Sequence, residues 1–372
     1  MNKFKKVIED IGLPRLIIGA FFLVLVVSSV FLGLKPASIF SDILRRVVMY
    51  SILVLAMVPG VQAGIGLNFG ISLGIAAGLF GSVVAMEIAF RVGWTENMNA
   101  GGLWLTLGTA LLLSIVLAAL FGSLYGMLLN RVKGSEMTVA TYVGFSIIAF
   151  MNIVWLMLYF SNGDLIWPLQ GRGMRSTVSL AGSFGGILSD PVKVQATQPA
   201  WLQWLAIKAG DITLPIGAII LLTVLCILVW FFFRSKAGIA MSAAGENQLF
   251  TRSSGINVDR MRIMGTALST VLGAIGIIVY ASIYGFLQLY NAPLMMGFAS
   301  VAAVLIGGAT VTRANIANVL IGTLLFQGIL SMALPVINEV VNIGTLPEIM
   351  RIIISNGIIL YALSKTKGGR AA

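Results

Sequence analysis

The 372-residue chain is 58% apolar and only 10% charged, with a mean hydropathy of +1.00, where ordinary soluble domains carry roughly 25% charged residues. Its formal net charge is +11, it has no histidine, and its one cysteine is Cys226. These facts exclude a water-soluble domain, a disulfide framework, Ser-His or Cys-His nucleophile chemistry and His-ligated metals, and they imply a single all-α polytopic membrane domain over 1–372.

A spanning helix needs about 20 mostly apolar residues, and hydrocarbon forces every backbone N–H and C=O to be paired internally. About ten segments fit: 14–34, 44–62, 65–90, 103–130, 137–160, 213–233, 263–287, 296–311, 315–335 and 346–364. The first follows Lys3, Lys5 and Lys6. It is longer than the apolar core of a signal peptide, about 7–15 residues, and no small-residue cleavage site follows it, so it is expected to be a retained helix. With the N-terminus in the cytoplasm of a bacterial inner membrane, ten passes return the C-terminus there. Of the 24 Lys and Arg, 15 then fall on the cytoplasmic side and 9 outside, as the positive-inside bias asks. Arg45 and Arg46 fit that arrangement least. Basic loops beside anionic lipid headgroups account for the net charge, and no nucleic-acid partner is expected.

Two segments depart from plain spans. Glycines at 64, 66, 70 and 74, with Asn68 and Ser72 between them, predict a broken or bent helix. Leu289 to Gly297 contains Pro293 and enters a short run that ends at Gly307-Gly308. Interrupted segments of this kind, one in each half, mark a transport pathway, and close helix packing at small residues would also use such glycines. Glu87 and Arg91 stand one helical turn apart and are expected to pair near the outer interface. The segment 161–212 is the largest external loop. Its Trp167, Trp201 and Trp204 suit a membrane interface, Trp201 to Ile207 reads as a short surface helix, and the loop could also serve as a ledge for an external partner.

Acids are nearly absent from the spans, with Glu87 and Glu348 the exceptions. A proton or sodium relay needs such groups, so a neutral solute driven by an external energy source is expected. The longest cytoplasmic connection, 234–262, holds Leu249 and Phe250 between Gly245 and Gly255. A short helix there would present an apolar knob to a partner's groove.

That loop resembles the coupling loop of permeases from binding-protein-dependent ABC importers, in the branch that includes ribose, xylose, galactose and branched-chain amino acid permeases. Ala243, Gly245, Asn247, Gly255, Ile256, Val258 and Arg260 match the family pattern, while its paired alanines are Phe250 and Thr251 here. Ala302 to Gly308 is similar to a second family element. Gly64 to Gly70 is similar to a third, with Gly66 and Asn68 replacing its Asp and Ser. The resemblance runs from about 44 to 365. It implies an ABC-importer-type transmembrane subunit that pairs with a second permease, a homodimer before a heterodimer, to form the path. ATPase subunits would dock at Gly245, Glu246, Asn247, Leu249, Phe250, Gly255, Ile256 and Arg260, and an external binding protein would deliver the solute. The chain has no GxxxxGK[ST] loop. It is therefore expected to be no enzyme and to bind no cofactor, with ATP and Mg on its partners. Asn68, Ser72, Asn291 and Ser300 are expected to face the solute, with Phe69 and Phe298 as apolar gates. A monosaccharide is the first candidate, a nucleoside the second and a branched-chain amino acid the third. The alternative class is an ion-coupled secondary carrier.

Overall fold

A computed structural model describes residues 13–95, 99–166, 174–340 and 346–364. Lys3, Lys5, Lys6 and Trp167 lie outside the described residues. The long helices are α1 (Leu13–Phe31), α2 (Pro36–Leu55) with its continuation α3 (Met57–Gln62), α4 (Ile71–Val92), α5 (Ala100–Arg131), α6 (Glu136–Met157), and, after a cap region, α8 (Ile216–Arg234). Two short helices follow, α9 (Lys236–Glu246) and α10 (Gln248–Ser253). The chain then runs through α11 (Val258–Tyr284), the short α12 (Ala292–Ile306), α13 (Ile316–Val340) and α14 (Leu346–Ser364). All ten predicted spans appear as helices. Among the described residues seven are long and apolar enough to cross a membrane. Arg15–Phe31 and Ala292–Ile306 are shorter apolar helices, and Leu346–Ser364 falls in neither group. The protein is an all-α, multi-pass membrane protein.

Small residues decide which helices lie at the centre. The α2–α3, α4 and α11 spans are the most buried, and α6 and α8 the least. Gly74 and Gly78 on α4 abut Thr270 and Ala274 of α11, and Gly122 and Gly126 on α5 abut Thr270 and Thr266. Spacing of four residues puts each glycine pair on one helix face, and backbones then approach closely, the main means of association where lipid gives no hydrophobic drive. Hydroxyls cross the same seams: Thr270 donates to the Ala118 carbonyl at 3.0 Å.

The helix breaks follow from residue type. Pro59 has no N–H and disrupts the turn before it, so α2 gives way to α3 at Ala56. The Ser269 hydroxyl donates to the Ala56 carbonyl at that point. The span expected from 65 begins only at Ile71. Gly64 and Gly66 sit at φ +71° and +85°, a left-handed conformation open to glycine and unfit for a helix. The span expected at 296–311 is a 15-residue helix from Ala292, with Pro293 in its first turn, where a missing N–H does no harm.

The described residues of the 161–212 segment are folded rather than a plain loop. Strand β1 (Thr177–Ser179) pairs antiparallel with β4 (Phe286–Gln288), beyond α11, with Val178 opposite Leu287. Helix α7 (Pro191–Thr197) is capped by Asp190, and β2 (Ile207–Ala209) pairs with β3 (Ile212–Leu214). The expected surface helix is a single 3-10 stretch, Ala200–Leu205; Ile207 instead begins β2. Trp201 and Trp204 are exposed. Lys193 donates to the carbonyls of Ala181 and Ser183 at 2.6 and 2.7 Å and ties this cap together. Burial pushes its pKa down to about 8, opposed by Asp190. Arg45, awkward from sequence, reaches the Ile283 carbonyl at the end of α11 at 2.6 Å.

The central packing makes a direct prediction. A Cβ on Gly276 would lie 2.8 Å from Leu53, whereas one on Gly108 would meet nothing within 4 Å. Gly276→Leu is expected to destabilise the fold by about 1–3 kcal/mol through overpacking, and Gly108→Leu to have little effect. Denaturation midpoints in mixed micelles measure both.

Candidate functional site

At one end of the molecule α9 and α10 form an elbow. Asn247 ends α9 and caps α10, its side-chain oxygen accepting from the Phe250 N–H at 3.0 Å. This cap aims Leu249 and Phe250 outward, 82% and 67% exposed, while Thr251 is buried beneath them. The two departures from the resembled pattern thus separate: Thr251 fills the inside of the elbow, and Phe250 enlarges its outer face. Gly255, at φ +78°, turns the chain into α11, and Ile256 closes that turn by donating its N–H to the Thr251 carbonyl at 3.2 Å. Arg260 is exposed on the first turn of α11, where its N–H is capped by Asn257. Glu246 pairs with Arg313 at 3.2 Å. Arg252 and Lys133 both face Asp259, at 3.6 and 2.5 Å.

The elbow touches the first broken segment. Gly245 packs directly on Gly64. Residues 63–70 then run without helix to the start of α4, where Gly74 meets Thr270. Thr270 lies about 18 Å along α11, itself about 40 Å long at 1.5 Å per residue. Halfway along this central helix, the Ser72 hydroxyl donates to the Pro293 carbonyl at 2.8 Å. The first turns of α4 and α12 therefore meet in the interior, and α12 is a half-helix running from there toward the elbow end.

This junction forms a cleft of only about 10 Å³ lined by Phe69, Ser72, Thr141, Gly144, Phe145, Leu294, Gly297 and Phe298. That volume scarcely admits a water molecule. The Phe69 and Phe298 rings are 5.6 Å apart, and Phe145 lies 6.3 Å from Phe298, so aromatic rings close it. Phe69, Ser72 and Phe298 are thus brought together as expected. Three other expected solute ligands are not. Asn68 is buried, donating to the Ser269 hydroxyl at 2.8 Å and accepting from the Tyr125 hydroxyl at 3.2 Å; its amide holds helices together. Ser300 is buried and donates to the Met296 carbonyl of its own helix. Asn291 is exposed just before α12, outside the cleft lining. Thr141, Gly144 and Phe145 of α6 were not singled out from sequence. Their only signal is a small-then-aromatic pair at one helical turn, common in any span.

Toward the opposite end a cavity of about 230 Å³ lies between the end of α4 and the cap, lined by Met86, Phe90, Thr95, Asn162, Gly163, Asp164, Ser179, Gly182 and Ser183. Its wall is held by Glu87, which is buried, pairs with Arg91 at 2.7 Å as expected, and accepts from the Ser161 and Asn162 N–H groups. At the elbow end the fully buried Arg262 pairs with Glu136 at 2.6 Å. Among the described residues no group of three or more acids or cysteines converges as a metal site would require.

The model of the family described as branched-chain amino acid transport system, permease component, matches residues 39–363. The nucleoside ABC transporter permease protein NupC of Lactococcus lactis is 30% identical over 118 residues, 32% of this chain and 37% of its own. The autoinducer 2 import system permease protein LsrC of Yersinia pseudotuberculosis is 27% identical over 157 residues, 40% of this chain and 43% of its own. The matched stretch thus spans about two fifths of these curated relatives. No solved structure matches the chain.

Glu87→Ala would leave the buried Asn162 N–H and its Ser161 neighbour without an acceptor. The expected loss is about 1–3 kcal/mol, with Glu87→Gln losing less because it keeps a carbonyl oxygen there. Chemical denaturation in micelles compares the two.

Proposed function

The chain belongs to the branched-chain amino acid transport system permease family, and we propose that it is the membrane-spanning subunit of an ATP-driven importer for a small neutral solute. The observation that carries this reading is the elbow: a rigidly capped pair of exposed apolar side chains, Leu249 and Phe250, whose base rests on the broken segment leading to the aromatic cleft. An exposed pair of this kind fits a groove on a partner, and two ATPase subunits that bind ATP and Mg are that partner. The elbow end is then cytoplasmic. Arg15, Lys133, Arg252 and Arg313 gather at that end with it, as the positive-inside bias requires, and both termini face the cytoplasm of the bacterial inner membrane.

In this reading ATP binding draws the docked ATPases together, the elbow moves with them, and the Phe69–Phe298 closure opens to alternate sides. A second permease subunit, the same chain before a different one, completes the path, and an external binding protein releases solute at the opposite end. The chain itself hydrolyses nothing. The cleft holds no charge, and its Ser72 and Thr141 hydroxyls, which donate to the Pro293 and Met137 carbonyls, keep acceptor oxygens among apolar side chains, which suits a hydroxylated, uncharged solute. A monosaccharide comes first and a nucleoside second, the latter supported by the nucleoside permease relative; a branched-chain amino acid is third. An ion-coupled carrier is disfavoured, because the buried Glu87 and Arg262 are both held in ion pairs.

Affinity purification of the tagged protein in mild detergent, followed by mass spectrometry, tests the reading. An ATPase subunit and an external binding protein should co-purify, and a lone oligomer would overturn it. Phe250→Asp should weaken ATPase retention by about 30-fold, since losing a central aromatic anchor costs on the order of 2 kcal/mol, and should abolish uptake while the protein still inserts. Unaltered uptake would refute the docking assignment.

A further inference from the structure

Arg262 is fully buried, yet it sits beside the elbow rather than in the aromatic cleft. Each arm of its guanidinium addresses a different element. Nε donates to the Asn130 side chain at the end of α5 at 2.9 Å, Nη2 to Glu136 at the start of α6 at 2.6 Å, and Nη1 to the Gly64 carbonyl in the broken segment at 3.3 Å. A buried ion pair is weak evidence for stability, because a well-packed apolar side chain does as well or better there. The planar fork does something an apolar side chain cannot: it fixes three directions at once.

The other side of Gly64 is also fixed. A Cβ placed there would lie 2.8 Å from the Gly245 Cα, and one on Gly245 would lie 2.8 Å from the Gly64 nitrogen. Backbone therefore bears on backbone, with no flexible side chain between to absorb a displacement. The start of α11 carries that displacement less directly: the elbow's Arg252 meets Asp259 only at 3.6 Å and through two side chains, while Asp259 is held more closely to the α5–α6 turn. Lys133 pairs with the Asp259 carboxylate at 2.5 Å, and Asn130 donates to the Asp259 backbone carbonyl at 2.9 Å. From Gly64 the chain needs only five residues to reach Phe69.

We propose that Arg262 is a positioning residue for transport: it holds the Gly64 turn against Gly245, so that movement of α9–α10 is passed to residues 63–70 and thence to Phe69. The proposal rests on the elbow being the ATPase docking site. Displacement enters at Gly245 and passes to Gly64, and Arg262, held by the anchored ends of α5 and α6, is the pivot about which residues 63–70 swing.

Hydrogen–deuterium exchange on the assembled permease–ATPase complex in nanodiscs, with and without a non-hydrolysable ATP analogue, needs no knowledge of the solute. In the wild type, nucleotide should change exchange in both α9–α10 and 61–72. In Arg262→Lys, which keeps the charge and loses the fork, the α9–α10 response should persist while the 61–72 response falls about tenfold, as expected from losing a hydrogen bond to a charged group. Gly64→Ala, which crowds the joint from the side of the broken segment without changing charge, should give the same split. Wild-type responses at 61–72 in both variants would overturn the proposal. So would failure of both to assemble with the ATPase, since that result would make the joint a folding element alone. Absence of any nucleotide response at α9–α10 in the wild type would instead overturn the docking assignment beneath it.

Discussion

A backbone carbonyl freed from its helix inside hydrocarbon has no water to turn to, and the architecture depends on how each such group is answered. Ala56 receives the Ser269 hydroxyl, Gly64 the Arg262 guanidinium and Ile283 the Arg45 guanidinium. Further along, Gly307 receives the Asn318 amide and Ala314 the Gln62 amide. Each donor comes from another element, or from beyond the break in the chain. Every interruption thus becomes a tie between elements.

Those ties work because the central helices lie close together. Gly74, Gly78, Gly122 and Gly126 let α4 and α5 approach α11 so nearly that short side chains such as Ser72, Ser269 and Thr270 span the gaps. Longer donors at the same places would need bulkier separations and would lose the aromatic closure at Phe69, Phe145 and Phe298. Peripheral α6 and α8 remain largely turned outward, with Gly144 the point at which α6 comes close to the Phe69 carbonyl.

The ten helices were legible in the sequence because lipid imposes a length and a composition on each. The breaks were legible because Gly and Pro have backbone consequences wherever they stand. The aim of individual side chains was not. Asn68 and Ser72 both look like solute ligands in sequence, one turn apart. Only the neighbours show that Asn68 is claimed by Ser269 and Tyr125 while Ser72 borders the cleft. Ser300 has the same difficulty, since whether a serine bonds back to its own helix depends on what faces it. Thr141, Gly144 and Phe145 went unnoticed because a lining helix without a break has no local signature. In the 161–212 segment, the pairing of β1 with β4 joins residues more than a hundred positions apart, which no local pattern encodes.

That pairing gives the molecule a second lever arm. Strand β4 is at once the edge of the cap and the lead-in to α12, with only Leu289 to Asn291 between them. Load placed on the cap is therefore shared with the half-helix that carries Phe298, much as a door handle and its latch are cut from one bar. The aromatic closure is gripped from two directions: by the Gly64 turn on the Phe69 side and by the cap on the Phe298 side. Each of the two rings is thus joined to a different end of the molecule by a short stretch of chain.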